Sequence, residues 1–205
     1  MNFSSAETIA KSCKEIANDR ITSRQLFTFE FISKAIRHKF GNESDHILLD
    51  LVKLITFDAL VGNNDRHFYN WGVIVSKKKA MEKPRFAPIY DSARGLLWNL
   101  SEETIIKYRD GRKSNGKQFD RYIKEACPRI SIEGNEEINH FDLVGFLKKV
   151  DNCKYKSTIE ELCATEKERL VVNMLIREFA PMFSAVRTEM ILEIIRERFK
   201  KVREI

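Results

Sequence analysis

Asp65, Asn70 and Asp91 are the residues whose types and spacing could do chemistry. They lie in Phe57-Asp58-Ala59-Leu60-Val61-Gly62-Asn63-Asn64-Asp65-Arg66-His67-Phe68-Tyr69-Asn70-Trp71-Gly72 and in Phe86-Ala87-Pro88-Ile89-Tyr90-Asp91-Ser92. The chemistry would be phosphoryl transfer. An attacking hydroxyl needs a carboxylate to orient it and accept its proton, and the metals on a nucleotide need oxygen ligands nearby. Asp65 and Asn70 have the five-residue separation used there for the base and a metal-binding amide. Asp91 ends a short apolar run, where a second metal-binding carboxylate belongs.

Each of these residues also has a bland reading. An Asp and an Asn at this spacing occur often by chance, so context carries the argument. The polar cluster Asn63-Asn64-Asp65-Arg66-His67 is wedged between an apolar helix and a strand, where solvated side chains are not the default. Asn63 or Asn64 could simply cap the helix, which leaves Asp65 and His67 unexplained. Asp91 alone would also suit a turn that ends a strand. His67 reads as a brace for the loop, hydrogen-bonding backbone or Asp91. Arg66 pairs with Asp65 or another carboxylate, and a pair with Asp65 would hold the base ionised.

The elements that must position these groups follow from hydrophobic spacing. Eight Gly and four Pro in 205 residues favour helix. From about Ser5 to Phe40 the apolar positions predict two helices broken near Asn18-Asp19. Ile47, Leu48, Leu51, Leu54, Ile55, Ala59 and Leu60 recur at steps of three and four, so a buried helix delivers the chain to Gly62, which ends it. The period then changes. Trp71-Gly72-Val73-Ile74-Val75 and Arg85-Phe86-Ala87-Pro88-Ile89-Tyr90 flank a polar turn through Lys77-Lys78-Lys79 and Glu82-Lys83-Pro84, which predicts a hairpin. It carries Asn70 at its start and Asp91 at its end, so pairing brings together residues 21 positions apart.

Residues 101–128 read as the least regular part, with Arg109–Lys117 a basic, Gly-containing loop of the kind that binds substrates beside a catalytic centre. Gly111-Arg112-Lys113-Ser114-Asn115-Gly116-Lys117 fits a phosphate-binding G-x-x-x-x-G-K string. Gln118 stands where a magnesium-holding Ser or Thr belongs, and no buried strand leads in, so that reading is set aside. Beyond Phe141 helices resume, interrupted by Pro181. The last is amphipathic, with Val186, Met190, Ile191, Ile194, Ile195 and Phe199 on its apolar side and Arg187, Arg196, Arg198, Lys200 and Lys201 on its polar side. Interleaved Glu189, Glu193, Glu197 and Glu204 make that side a paired surface rather than a basic patch for membrane or nucleic acid.

Bulk composition bounds the class. Hydrophobic content of 43% with 32% charged residues describes an ordinary globular protein, read here as one mainly α (α+β) domain over residues 1–205. The net charge of +6 permits nucleotide, acidic protein or nucleic acid as partner and selects none. Four Cys without C-x-x-C spacing, among scattered His, indicate neither zinc nor a disulfide framework. No apolar run approaches the roughly 20 residues of a membrane helix and no leader is evident, so a cytoplasmic location with no membrane partner is expected.

Gly62-Asn63-Asn64-Asp65-Arg66-His67-Phe68-Tyr69-Asn70-Trp71 followed by Ala87-Pro88-Ile89-Tyr90-Asp91 resembles the C-terminal catalytic lobe of HipA-like serine/threonine kinases, the bacterial toxins of toxin–antitoxin systems. The shared pattern is N-x-D-R-H-x-x-N, a hairpin, then P-[IL]-Y-D. The resemblance implies a helical kinase C-lobe with a small hairpin carrying the metal ligands. It implies Asp65 as catalytic base, Asn70 and Asp91 as ligands of Mg2+ on ATP, and Arg66 and His67 as supports of the loop. It also implies a Ser or Thr of a protein as acceptor, with aminoacyl-tRNA synthetases the targets of HipA relatives. Nucleic acid would then be met only indirectly.

Family members carry a nucleotide-covering N-lobe ahead of this region. About 60 residues precede Asp65 here, they look helical, and none resembles a Gly-rich loop, so the N-lobe is expected to be absent from this sequence. Two functions of different class follow. One is a protein kinase whose N-lobe comes from a separate chain. The other is a non-catalytic, kinase-derived module that binds a partner kinase half or an antitoxin, with apolar surface at Phe3, Leu26, Phe27 and Phe31. A lipid kinase is a third option, since the D-R-H-x-x-N string occurs there too.

Overall fold

A computed structural model describes residues 20–76, 83–114 and 116–205. Helix α3 (Ser44–Val61) decides the architecture. Ile47, Leu48, Leu51, Val52, Leu54, Ile55 and Ala59 are each at most 2% exposed, on several faces at once. A helix that is apolar nearly all round must be enclosed. It is packed by α2 (Phe29–Phe40), α6 (His140–Lys149), α7 (Cys153–Leu162) and the long α9 (Ala185–Glu204). Thr28, Asn139, Asn152 and Ser184 cap α2, α6, α7 and α9 by accepting from backbone N–H groups of the first turn.

The first described helices are α1 (Arg20–Leu26) and α2, so the break lies at Phe27-Thr28. The expected break at Asn18-Asp19 lies outside the described residues. Tertiary pairing sets the observed one: Phe29 N–H donates to the Ser131 carbonyl at 2.9 Å and Ser131 N–H to the Phe27 carbonyl at 3.2 Å.

Strands β1 (Val73–Ile74) and β2 (Arg85–Phe86) pair antiparallel, Val73 opposite Phe86, and Ala87 N–H extends the pairing to the Gly72 carbonyl. Trp71 stacks on Phe86 with centroids 5.8 Å apart. The hairpin is therefore present but shorter than its apolar runs. The expected turn at Lys77 to Glu82 lies outside the described residues.

Residues 101–128 are not irregular. They form α4 (Glu102–Ser114) and α5 (Lys117–Glu125), so Gly111 sits in a helix. Burial supplies what local sequence lacks: Ile105, Phe119 and Ile123 close a second core cluster with Leu97, Met190, Ile191 and Ile194. Helices α8 (Thr165–Met174), a π turn at Leu175–Phe179 and a 3-10 turn at Ala180–Met182 lead into α9.

One α9 assignment is overturned. Arg198 is fully buried rather than on the polar side. Its Nε donates to the Ala59 carbonyl at 2.6 Å and Nη1 to the Ile123 carbonyl at 2.7 Å, while Nη2 finds no acceptor among the described residues. It thus caps the C-terminal carbonyls of two helices, and burial pulls its guanidinium down to about 10. Among the described residues no helix is long and apolar enough to cross a membrane.

Candidate active site

The loop that carries Asp65 starts where α3 ends. Gly62 adopts the left-handed conformation, φ 70° and ψ 33°, and its N–H returns to the Asp58 carbonyl. A Cβ there would stand 3.2 Å from the Arg198 Cζ, so Gly also lets the buried guanidinium approach. Asn63, fully buried, donates through Nδ2 to Asp58 Oδ1 at 3.0 Å and accepts the Asp65 N–H on Oδ1 at 3.2 Å. Its side chain therefore fixes the first turn of the loop rather than merely ending the helix.

Arg66 is the hub. Its Nε and Nη2 donate to the two carboxylate oxygens of Asp58 at 2.8 and 2.9 Å, and both side chains are almost wholly enclosed. Nη1 donates to the carbonyls of Asn70 and Tyr90, and Nη2 also reaches Ser92 Oγ at 2.7 Å. One planar fork thus ties the α3 exit, the end of the loop and the strand exit before Asp91. Burial pushes the Asp58 carboxyl up, while the hydrogen bonds from Arg66 and Asn63 pull it back.

Asn70 is buried and bound to the Asp65 backbone: Nδ2 donates to the Asp65 carbonyl at 2.9 Å. That leaves the carboxamide oxygen as the atom for a ligand. Asp91 is exposed and left-handed at φ 51°, a conformation that Asp tolerates better than most residues. Tyr90 steadies it from behind, its hydroxyl donating to the Tyr69 carbonyl at 2.8 Å.

The charges converge. Asp65 Oδ1 accepts from Arg129 Nη2 at 3.0 Å, and Oδ2 faces Arg94 Nε at 3.2 Å. His67 lies in the electrostatic field of Asp65, Arg129, Asp91 and Arg94. His67 Nδ1 accepts the Tyr69 N–H at 3.2 Å, so its partner is backbone, one of the two braces expected. Burial, the largest influence, pulls the ring below the ordinary 6.5. A base with a depressed folded value adds stability above the unfolded value and loses it as pH falls. Stability of the parent should therefore drop on acidification through 6.5, and His67→Gln should flatten that slope in denaturation series at pH 5.5 to 7.5.

The oxygens present suit Mg2+, which is held by one or two carboxylates while waters and substrate phosphates complete its shell. Asn70 Oδ1 and the Asp91 carboxylate are the oxygens that could contribute to such a set. Among the described residues no group of three or more His, Cys, Asp and Glu could hold a metal unaided.

Hydrogen bonds thus tie Asp65, Arg66, His67 and Asn70 into one loop, and Arg66 links that loop to the Tyr90 carbonyl next to Asp91. Sequence reading missed Asp58, Arg94 and Arg129. Asp58 carried a signal, a carboxylate among Leu54, Ile55, Ala59 and Leu60 that demands a buried cation. Arg129, 64 positions from Asp65, carried none.

The family model described as the HipA-like C-terminal domain matches residues 13–164. Among solved structures the chain is similar to a Helicobacter pylori proinflammatory kinase, CtkA, with a TM-score of 0.70 and 18% identity. The match covers 88% of this chain and 59% of that one, so the chain spans about three-fifths of that kinase's length. At this identity the likeness shows the fold. No curated protein matches.

Proposed function

The chain belongs to the HipA-like C-terminal domain family, and from that premise we propose that it is the phosphoryl-transferring half of a protein kinase acting on Ser or Thr. One observation carries the reading: Asn70 Nδ2 is bound to the Asp65 carbonyl, while Arg66 clamps the backbone of Asn70 to that of Tyr90 beside Asp91. The backbone that carries all three groups is thereby held in place, and positioning is most of what a kinase contributes. Asp65 orients the acceptor hydroxyl and takes its proton. Asn70 Oδ1 and the Asp91 carboxylate would hold Mg2+. ATP, when bound with that metal, supplies the phosphoryl group. Arg66 keeps the three groups in register, and His67 holds the Tyr69 backbone.

The nucleotide-covering lobe is supplied, in this reading, by another polypeptide segment. A surface that fits it lies beside the site. Leu26 and Phe31 are 48% and 56% exposed, and Phe27 stacks on Phe68 at 4.6 Å, which meets Tyr69 at 4.3 Å. Such contiguous apolar surface on a folded protein is suited to being covered. Of the apolar residues expected there, Phe3 lies outside the described residues. The same surface favours the second reading, a non-catalytic module that docks a partner kinase half or an antitoxin.

Calorimetric titration of Mg-ATP into the parent and Asp91→Asn chains separates the two. The parent is expected to bind, and loss of one charged metal ligand to weaken binding at least about tenfold, with Mg2+ dependence reduced. Equal affinity in both chains would remove the metal role from Asp91. Absence of nucleotide binding would mean that the chain needs the partner lobe, and absence even with that lobe present would favour the docking module.

A further inference from the structure

Both carboxylate oxygens of Asp65 are occupied by arginine before any substrate arrives, which conflicts with its task as a base. A carboxylate that takes a hydroxyl proton must offer an oxygen at about 2.6–3.2 Å from that hydroxyl. Arg129, on Oδ1, has a side chain only 10% exposed, whereas Arg94, on Oδ2, is 49% exposed. Oδ2 is therefore the oxygen that can be released.

Arg94 has a place to move. Its guanidinium lies 5.3 Å from the Trp98 ring centroid, and both residues line a cavity of about 510 Å³ with Gly62, Tyr108, Arg121 and Tyr122. The turn forming this wall is strained, with Leu96 and Leu97 at φ 47° and 61°, a conformation that residues with a branched apolar side chain rarely adopt. It is held there from outside. The Tyr122 hydroxyl accepts the Leu97 N–H at 2.7 Å, and Arg187 donates to the Leu97 and Leu100 carbonyls. Strain so braced fits a wall kept in shape for a ligand.

The charge of the cavity is lopsided. Arg121 is matched by Glu125 at 2.6 Å, but the counter-ion of Arg94 is Asp65 itself. Arg198 adds a buried positive charge behind Gly62, with no carboxylate partner among the described residues. The aromatic walls suit a peptide side chain and its stem, and the Glu125 carboxylate at the rim disfavours a run of phosphates.

We propose that this cavity seats an acidic side chain of the protein substrate, close to the Ser or Thr that is modified, and that its carboxylate draws Arg94 off Asp65. The proposal rests on the kinase reading above and deepens it. One guanidinium exchanges an internal carboxylate for the substrate's, so the base is uncapped only when a peptide of the right charge is seated. Arg94 is then both a recognition residue and a latch on the base.

The test uses fluorescence anisotropy of labelled Ser-containing peptides carrying Glu, Gln or Lys near the Ser, with the parent chain, R94Q, R94E and D65N. Glu peptides are expected to bind the parent at least tenfold more tightly than Gln peptides. R94Q should erase that ratio and R94E reverse it towards Lys peptides. D65N, which removes the competing carboxylate, should tighten Glu-peptide binding several-fold, a gain that a merely structural Arg94 would not produce. Equal binding of Glu and Gln peptides, or a preference that survives R94Q, would overturn the proposal. So would a single-stranded oligonucleotide that displaces the Glu peptide and binds more tightly through Arg94. Asp65-dependent phosphate transfer that is blind to peptide charge would sink this proposal and leave the kinase reading intact. Arg94-dependent Glu-peptide binding without transfer in any assembly would uphold the acidic site and sink the kinase reading instead.

Discussion

Asp65→Asn is expected to lower phosphate transfer to protein by about 10²–10⁴-fold, the usual worth of a positioned general base, while Mg-ATP still binds. The substitution keeps the size of the side chain and the backbone contacts, because the Asp65 carbonyl accepts from both His67 N–H and Asn70 Nδ2. It removes only the capacity to take a proton and the charge opposite Arg129 and Arg94. The amide oxygen can still accept from Arg129, so folding should suffer by no more than about 1–3 kcal/mol. Initial rates with the fully assembled kinase, alongside thermal melts, separate the two effects. Rates equal to the parent's would strip Asp65 of its role.

Arg66→Met should be the most damaging change to stability within the site. Removing one partner of an enclosed ion pair strands the other, here Asp58, at a cost of about 3–5 kcal/mol. That is a large share of the roughly 5–15 kcal/mol that holds a domain folded, and at about 2–4 °C per kcal/mol it lowers Tm by roughly 6–20 °C. Lys at this position should not rescue, since a single ammonium cannot serve Asp58, two carbonyls and Ser92 at once. The pair Arg66→Met with Asp58→Leu is the sharper experiment. Replacing both charges should recover much of the stability, yet the carbonyls of Asn70 and Tyr90 still lack their common donor, so transfer should stay lost. Denaturant melts and transfer rates on the same samples read the two quantities. A single variant melting within 2 °C of the parent would mean that the clamp is not Arg66.

The helical character, the α3 exit at Gly62 and the hairpin were legible because each has a local cause: spacing of three and four, a glycine able to turn left-handed, and a change to strand period. So was the approach of the Asn70 backbone to the strand exit at Tyr90, because antiparallel pairing converts distance along the chain into proximity. What was not legible depends on partners far away. Ile105, Phe119 and Ile123 are too sparse to announce α4 and α5, and those helices take shape against α9. The polar-side assignment of Arg198 failed because an arginine among Glu residues looks solvated, and nothing local reveals carbonyls waiting at Ala59 and Ile123. The Arg94 and Arg129 pairs with Asp65 are likewise products of the folded chain alone.

The bond from Arg198 to the Ala59 carbonyl spans 139 positions. A ribosome releases the chain from its N-terminus at about 5–20 residues per second, so the Asp65 loop emerges well before α9 exists. Until α9 is made, Gly62 has no guanidinium behind it and the Ala59 carbonyl lacks its donor. The backbone around Gly62 is therefore completed by residues translated much later than the loop itself, and a chain shortened before Arg198 would leave the Ala59 carbonyl without its donor.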